Sequence, residues 1–301
     1  MAKEKLKVSK NNALINASYR LSLTEMQIVL YGIGLANPTQ PNFPLAYSVN
    51  IDRFAKMFDR KHGDIYKEVK NAIVRRLWNR DFSYIDKEGK TVTLRWLTKM
   101  IYQDKTGYIE IKFSEDIQPY LHNLQTNFTT YYIDQIVKFK SIYSVRFYEY
   151  ALMELNEKKI KRLKYKLLIS DIKKQLDISD KYARFCDFKP YVLDKAKEEI
   201  NKFSDLNLDY KIIKHGRAPY EIEFSVSRKE IKEDQKSLTQ NTKVSTKVLE
   251  DAKSLAREAG TGWDIYELEK QFYEFAKKKG NTKNTSGAFI GFVKKKIQKK
   301  A

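Results

Sequence analysis

The chain has 301 residues, of which 58 are lysine or arginine and 38 are aspartate or glutamate, so its formal net charge at pH 7 is +20. A positive charge of this size indicates a polyanionic partner and favours nucleic acid over a membrane surface. The sequence has no apolar run of about 18 residues, which argues against a membrane-spanning helix, and its polar N-terminal residues do not resemble a signal peptide. The single cysteine, Cys186, excludes an internal disulfide and indicates a cytoplasmic protein.

The first half of the chain predicts helices followed by a β segment. Residues 1–13 are polar and basic and are expected to form an arm. Ser22 is expected to cap a nearly all-apolar helix, with Glu25 at the second position of a capping box. The elements expected from there on are that helix up to residue 36, a strand at 47–49, a short helix at 50–58, a turn at 62–64, a long helix at 65–80, strands at 82–85, 91–102 and 108–113, and a closing helix at 114–121.

The second half repeats this order of elements about 120 residues later. Its long helix is expected to begin at Asp187 as N-cap, with Pro190 in the first turn, where proline is tolerated. Its short helix is expected to be capped by Ser170 or Asp171. The elements expected are a buried helix at 141–156, a strand at 163–168, the short helix at 170–176, the long helix up to residue 203, and a hairpin at 208–226 around Gly216.

A short helix that leads into a longer one and then into a β-hairpin is the winged-helix arrangement, so the sequence predicts two such domains in tandem. The fold class is therefore α+β, with a small helical C-terminal region. The predicted division of the chain is a basic arm at 1–13, winged-helix domain 1 at 14–125, winged-helix domain 2 at 126–228, a linker at 229–245, and a helical C-terminal domain at 246–301.

Four basic residues, Lys181, Arg184, Lys189 and Lys195, gather around the start of the second long helix. Basic side chains in the first turn of a helix interact unfavourably with the positive end of the helix dipole, so these residues lower the local stability of the helix. A polyanion that meets this end of the helix would explain the arrangement, because helix-turn-helix proteins approach DNA by the N-terminal residues of the recognition helix. An ordinary amphipathic core helix with a solvated basic face explains the same pattern.

Three residues, two arginines and one asparagine, suit particular DNA contacts. Arg184 could form a bidentate pair with guanine, and Asn71 could pair with the edge of adenine. Arg217, at the predicted hairpin tip, could reach a minor groove or a phosphate. For Asn71 and Arg217 the alternatives are a solvated helix residue and an exposed turn residue.

The sequence predicts no catalytic residue, no metal site and no cofactor. It lacks the GxxxxGK[ST] pattern of a P-loop, and Gly32 and Gly34 lie inside an apolar helix, where they indicate helix packing. The histidines stand apart, at positions 62, 122 and 215, so no His-x-His pair can hold a metal beside a nicking tyrosine. Cys186 has no histidine close to it in the sequence, which favours a packing role.

Four stretches, residues 12–36, 65–79, 141–155 and 182–200, resemble the plasmid replication initiators that bind iterons, the short direct repeats of a plasmid origin. The resemblance covers residues 8–226 and implies two tandem winged-helix domains without enzymatic activity. It departs from the family at Pro190, where a basic residue is expected. The contacts with DNA that the resemblance implies come from Lys67, Lys70 and Asn71 in the first domain, from Ser141, Tyr143 and Arg146 at the start of the second, where the family touches the backbone, and from Lys181, Arg184, Lys189, Tyr191 and Lys195 in its reading region.

The resemblance also implies a function and partners. The expected protein binds origin repeats in double-stranded DNA, opens the origin, represses its own gene as a homodimer, acts on iterons as a monomer, and has host replication proteins as possible partners. Its dimer surface is expected in the β segment at residues 91–102 of the first domain. The alternatives are a dedicated winged-helix transcriptional repressor and an origin-nicking enzyme of the relaxase type.

Overall fold

In a computed structural model of the chain, the described residues are 6–35, 45–60, 62–86, 88–102, 106–122, 124, 126–229, 246–259, 268–269, 271–275 and 285–298. The chain divides into two compact units, Met1–Lys229 and Glu230–Ala301. Among the described residues, none of the helices has both the length and the apolar character needed to cross a membrane.

The first unit contains two winged-helix halves. The elements of the first half are β1 (Lys7–Asn11), α1 (Asn12–Asn16), α2 (Leu23–Leu35), β2 (Ala46–Asn50), α3 (Ile51–Met57), α4 (His62–Asn71), β3 (Asp81–Ile85), β4 (Thr91–Arg95), β5 (Leu97–Tyr102), β6 (Tyr108–Phe113) and β7 (Phe128–Tyr132). Those of the second half are α5 (Ile142–Glu157), β8 (Arg162–Leu168), α6 (Ile169–Gln175), α7 (Phe185–Phe188), α8 (Lys195–Phe203), β9 (Leu206–His215) and β10 (Ala218–Arg228).

The two halves share one sheet topology, which confirms the predicted repetition. In the first half the antiparallel order is β2-β6-β5, and in the second it is β8-β10-β9. In both sheets the strand before the short helix pairs with the last strand of the wing. The first half differs by an additional hairpin, β3–β4, which lies between the long helix and the wing and forms a sheet of its own.

The expected strand at residues 91–102 is wrong as a single element, because the chain changes sheets at Trp96. β4 pairs with β3, whereas β5 pairs with β6. The Trp96 side chain is fully buried, with its ring centroid 4.9 Å from that of Phe82 and 5.3 Å from that of Tyr19. Burying this large ring anchors the break between the two strands.

The N-terminal prediction of an arm is wrong for residues 7–13. Residues 7–11 form β1, which pairs antiparallel with β7, a strand that the sequence analysis did not predict. Lys10 lies in this strand and is buried, with its Nζ atom 2.6 Å from Oε1 of Glu149 in α5. The N-terminal strand is thus part of the core of the first unit.

Local capping signals gave one correct and two incorrect predictions. Ser22 and Glu25 form the predicted capping box: the Ser22 N–H donates to the Glu25 carboxylate at 2.7 Å, and the Glu25 N–H donates to Ser22 Oγ at 3.3 Å. In contrast, α6 begins at Ile169 with Leu168 as N-cap, and α7 begins at Phe185 with Arg184 as N-cap. Ser170 and Asp171 therefore lie inside α6, and Asp187 lies in the first turn of α7.

Helix α4 also begins earlier than expected, because His62, Gly63 and Asp64 are helical rather than a turn. The helix continues as a π-helical turn, Ala72–Arg76, and a 3-10 turn, Leu77–Asn79. Its inward residues, Ile65, Val69, Ile73 and Leu77, follow helical spacing, and all four are buried. In α2, a Cβ atom on Gly32 would lie 3.0 Å from the Phe113 ring, so this glycine permits close helix–sheet packing.

The second unit has its own small core. Its described helices are α9 (Thr246–Glu258) and α10 (Thr285–Gln298), and the buried residues are Ala252, Leu268, Phe272, Phe289 and Val293. Phe292 and Ile290 pack against this core, whereas Phe275 is 45% exposed. Trp263 and Tyr266 lie outside the described residues, as does most of the expected linker at 229–245.

Candidate nucleic-acid interface

The second long helix is built from α7, a π-helical turn at Lys189–Asp194, and α8. Pro190 has no N–H for the carbonyl of Cys186, which explains why the regular hydrogen-bond pattern widens at this point. The inward face carries Val192, Leu193, Ala196 and Ile200, all buried. The helix is therefore anchored on the core along one side, and its other side is free for a ligand.

The basic residues predicted at the start of this helix lie on its accessible side. Lys181 and Arg184 are exposed, and Lys189 and Lys195 are about half exposed. Three of them form ion pairs within the same helical segment: Arg184 Nε lies 2.9 Å from Asp187, Lys189 Nζ 2.7 Å from Asp194, and Lys195 Nζ 3.2 Å from Glu198.

These ion pairs are weak restraints on DNA binding. Exposed ion pairs contribute about 0–1 kcal/mol, so a phosphate or a guanine can displace the carboxylates. The hydrogen bond from Arg184 to Asp187 raises the pKa of the guanidinium, and the hydrogen bond to Glu198 raises the pKa of Lys195. Both groups therefore stay cationic throughout the pH range in which DNA is a duplex.

Aromatic residues lie beside these cations. Tyr191 is 65% exposed, and its ring is stacked on that of Tyr182, with centroids 6.4 Å apart and planes inclined by 27°. The Tyr182 hydroxyl is 3.2 Å from the Tyr143 hydroxyl, which joins α5 to the same surface. Tyr182 was not predicted, although its position one residue after Lys181 could have drawn attention to it.

The first half presents its own long helix. Lys67 and Asn71 are exposed and Lys70 is half-buried, with its Nζ atom 4.5 Å from the centroid of the Tyr102 ring in β5. Lys67 and Asn71 thus lie on the outward side of α4, and Lys70 lies against the wing of the same half.

The tip of the wing of the second half is the turn at Gly216 and Arg217 between β9 and β10, as predicted. Gly216 has φ of +63°, a left-handed conformation that favours glycine at this position. Arg217 is exposed, and the rings of His215 and Tyr220 lie beside the turn with centroids 5.6 Å apart. Arg217 is therefore an exposed cation at the tip of this wing.

Ser141 and Tyr143 lie at the start of α5, and their roles here are first of all structural. Ser141 is the N-cap, and its Oγ accepts a hydrogen bond from the Tyr143 N–H at 3.2 Å. The Ser141 and Lys140 N–H groups both donate to the Glu199 carboxylate, at 3.1 and 3.0 Å. This clamp fixes the start of α5 against α8.

The prediction that Arg146 contacts the DNA backbone is wrong in this structure, because Arg146 is only 2% exposed. Its Nη2 donates to the carbonyls of Ala17 at 2.9 Å and Gln175 at 3.1 Å and to the Tyr150 hydroxyl. The guanidinium also lies 3.7 Å from the centroid of the Tyr19 ring, a cation–π contact. Arg146 thus joins three segments of the core.

No group of three or more histidine, cysteine or acidic side chains that could hold a metal ion occurs in the part of the chain that the structure describes. Cys186 is exposed rather than packed, contrary to the interpretation of its sequence context.

Comparison with known proteins gives the same division into halves. The profile of the family described as Initiator Replication protein, WH1, matches residues 7–152, and that of Initiator Rep protein, WH2, matches residues 168–226. The chain is 27% identical over 225 residues to a replication initiation protein of Escherichia coli, covering 73% of this chain and 69% of that protein. It is 29% identical over 125 residues to the PI protein of Escherichia coli, covering 38% of this chain and 40% of that one.

Among solved structures, a Pi initiator protein crystallised in complex with iteron DNA shares 20% identity with this chain, with a TM-score of 0.63. The superposition covers 75% of this chain and 99% of that one, so the two proteins share the tandem fold. Together the two family profiles account for more than half of the 301 residues. The chain therefore belongs to the family of initiator replication proteins with two winged-helix domains.

Proposed function

We propose that this initiator binds directly repeated sites in double-stranded DNA at a plasmid origin, and that each winged-helix half presents its long helix to one major groove. The observation that carries the proposal is the second long helix, which is anchored on the core by four buried residues and bears Arg184, Lys189, Tyr191 and Lys195 on its accessible side. Two linked DNA-binding domains of modest affinity together bind tightly, because the second domain binds in an intramolecular step once the first is bound.

The mechanism proposed is binding followed by bending and opening of the duplex. Bending costs on the order of 1–6 kcal/mol and is repaid by the contacts that the bend permits. Lysine and arginine contacts with phosphate supply affinity, and contacts from Arg184 and Asn71 with base edges supply sequence preference. No catalytic step is part of this mechanism, which takes place in the cytoplasm, where the plasmid is.

Footprinting on the DNA that flanks the gene for this protein tests the proposal. We expect regularly spaced protected repeats, and protection overlapping the gene's own promoter would support autoregulation. Scattered or single protection would contradict binding to repeats. A dedicated repressor would give similar footprints at a promoter but would not support plasmid replication in a strain without another initiator, which separates the two functions.

An origin-nicking activity is tested directly with supercoiled origin plasmid and a divalent metal. We expect the plasmid to remain supercoiled, because the described residues bring no metal-binding cluster together near a tyrosine. Nicked product would contradict the proposal that the protein acts without catalysis.

We also propose that the protein forms both homodimers and monomers and that the dimer uses the wing of the first half. β5 is an edge strand of its sheet, and Ile101 and Tyr102 expose apolar side chains there. An exposed apolar edge strand is suited to pair with a second copy. Changing Ile101 to Lys should shift a sedimentation profile towards monomer, and an unchanged profile would contradict this assignment.

We further propose that the protein contacts host replication proteins. The domain limits that we propose are residues 14–125, 126–228, 229–245 and 246–301.

A further inference from the structure

A cavity of about 250 Å³ lies inside the first unit, where residues 19–22, the first turns of α5 and the segment after α6 meet. Its lining includes the cationic side chains Arg20 and Arg80 from the first half and Arg146 and Lys181 from the second. All lining residues are described, and none of them is an aspartate or a glutamate. The cavity is therefore positively charged and is shared by both halves.

The buried member of this group, Arg146, is incompletely satisfied. Its Nη2 has three acceptors, but Nε and Nη1 have no hydrogen-bond partner among the described residues, and neither has the adjacent Tyr19 hydroxyl. A buried donor without a partner costs about 1–3 kcal/mol, and more when the group is charged. Nε–H and the Nη1 amino group are therefore two separate donors that can each bind an oxygen of an oxyanion.

Arg146 forms none of the ion pairs found among the described residues. The carboxylate that acts on it electrostatically, Glu149 of α5, is paired with Lys10 at 2.6 Å. Arg20 is paired with Asp180 at 3.1 Å and Arg80 with Glu25 at 3.4 Å, which leaves no acidic side chain to face the guanidinium across the cavity. Buried charges are normally paired, so the cavity has the chemistry of an anion site.

We propose that this cavity binds one small phosphate-type oxyanion, with Arg146 as a buried donor and Arg20, Arg80 and Lys181 around it. A free anion fits better than a backbone phosphate, because Arg146 is 2% exposed and a duplex would have to bring its whole strand to a buried group. The occupant would connect side chains of both winged-helix halves and would stiffen their junction.

Titration of inorganic phosphate into the full chain without DNA, at constant pH and constant ionic strength set with chloride, tests the proposal. We expect saturable binding of one phosphate per chain in calorimetry and a rise in the melting temperature that chloride does not produce. Absence of any effect beyond that of chloride would overturn the proposal.

Two variants of equal charge change locate the site. Arg20→Gln removes one cation at the cavity, and Arg53→Gln removes one on the exposed face of α3, which does not line it. Arg20→Gln should weaken phosphate binding at least tenfold, because a charged donor is lost from the cavity, and Arg53→Gln should not change it. Equal dissociation constants for both variants would overturn the assignment. Arg146→Lys, which keeps the charge but removes the two guanidinium donors, should also weaken binding at least tenfold; if it does not fold, the Arg20 and Arg53 pair still decides.

A final titration distinguishes the source of the phosphate group. Phosphate is titrated into the protein saturated with a duplex that it binds. An unchanged phosphate affinity would support a free anion that coexists with DNA. Displacement of phosphate by the duplex would overturn the free-anion assignment and identify a backbone phosphate as the occupant.

Discussion

Lys10 Nζ lies 2.6 Å from Glu149 Oε1, and both side chains are buried, at 1% and 0% exposure. Lys10 lies in β1 and Glu149 in α5, so the pair ties the N-terminal strand to the first helix of the second winged-helix half. Oε1 of Glu149 also accepts a hydrogen bond from the Tyr131 hydroxyl in β7 at 2.5 Å. Three segments thus meet at one carboxylate, and β1 is more than 100 positions from the other two in the sequence. Burial lowers the pKa of Lys10, although the neighbouring Glu149 carboxylate opposes that shift.

Replacing Lys10 with Met should destabilise the first unit by about 3–5 kcal/mol, because the Glu149 carboxylate would remain buried without its cation. The double variant Lys10→Met/Glu149→Gln should recover most of this loss, since the amide can still accept from Tyr131. Urea unfolding followed by circular dichroism measures both. The matched control is Lys90→Met, which breaks the exposed pair with Glu88 and should cost about 0–1 kcal/mol. Equal losses in the single and double variants would contradict the ion-pair explanation.

The parts of the fold that the sequence predicted well are those that depend on neighbouring residues. The capping box of Ser22 and Glu25 spans four residues, and the repeated order of helices and hairpins follows from local periodicity. The pairing of β1 with β7 joins residues more than 100 positions apart, and nothing within KVSKN specifies its partner. The residues around Trp96 likewise do not reveal that β4 and β5 join different sheets. The two strands have similar patterns, and their pairing depends on the distant residues against which each one packs.

The exposure of the basic residues of the second long helix could be predicted from the sequence, but their ion pairs could not. The side of the long helix that bears Arg184 and Lys195 is accessible as expected. Both cations, however, already form ion pairs with carboxylates of the same helix. Arg146 was misassigned because a motif gives residue type and spacing but not burial. A signal was available: α5 is apolar on most of its circumference, so an arginine between Val145 and Phe147 was bound to lie near the core.

Changing Arg184 to Ala should cost about 1–3 kcal/mol of binding free energy on the cognate repeat and much less on random DNA, if Arg184 contacts a guanine. Fluorescence anisotropy with labelled duplexes of both kinds measures the difference. The same loss on both duplexes would show that Arg184 contacts phosphate instead.

Changing Asp187 to Asn should strengthen binding, because it frees Arg184 from its 2.9 Å ion pair and removes a negative charge next to the phosphates. The gain should be at most about 1 kcal/mol, the usual contribution of an exposed pair. Glu115→Gln is the control, since Glu115 forms a similar exposed pair with Lys112 outside the proposed interface. Unchanged or weaker binding by Asp187→Asn would contradict competition between Asp187 and DNA.

Binding to the repeat should weaken steeply with salt, because neutralising roughly 6–10 phosphates releases a comparable number of counterions. The dissociation constant is measured at several chloride concentrations and plotted on logarithmic axes. Changing Lys195 to Gln should reduce the magnitude of the slope of this plot by about one, because one phosphate contact is lost. A nearly flat plot for the wild type would remove the electrostatic basis of the interface.

Asp194 should contribute to stability in a pH-dependent way. Partial burial works against ionisation, but hydrogen bonds from Lys189 and Tyr210 prevail and lower the pKa of Asp194 below its usual 3.8. A depressed carboxyl pKa stabilises the fold above the unfolded-state pKa, and this contribution is lost as pH falls through the folded-state pKa. Urea midpoints should therefore differ between wild type and Asp194→Asn at pH 6 and converge in strong acid, about pH 2. Tyr210→Phe removes one of the hydrogen-bond donors to Asp194, so the difference in urea midpoint at pH 6 between chains with Asp and with Asn at position 194 should become smaller. A difference in urea midpoint that does not change with pH would contradict the explanation.

Deleting residues 246–301 should leave recognition of the repeat intact, because the first unit, Met1–Lys229, contains both winged-helix halves and its own core. The deleted segment carries 13 basic and 7 acidic residues, so its removal lowers the net charge by 6. Random-sequence binding depends on charge alone and should weaken more than binding to the repeat, which raises the ratio of the two affinities. Anisotropy with both duplexes gives that ratio, and a melting curve verifies that the shortened chain is folded. A folded deletion variant that loses the repeat but keeps random binding would show that the C-terminal region takes part in reading the sequence.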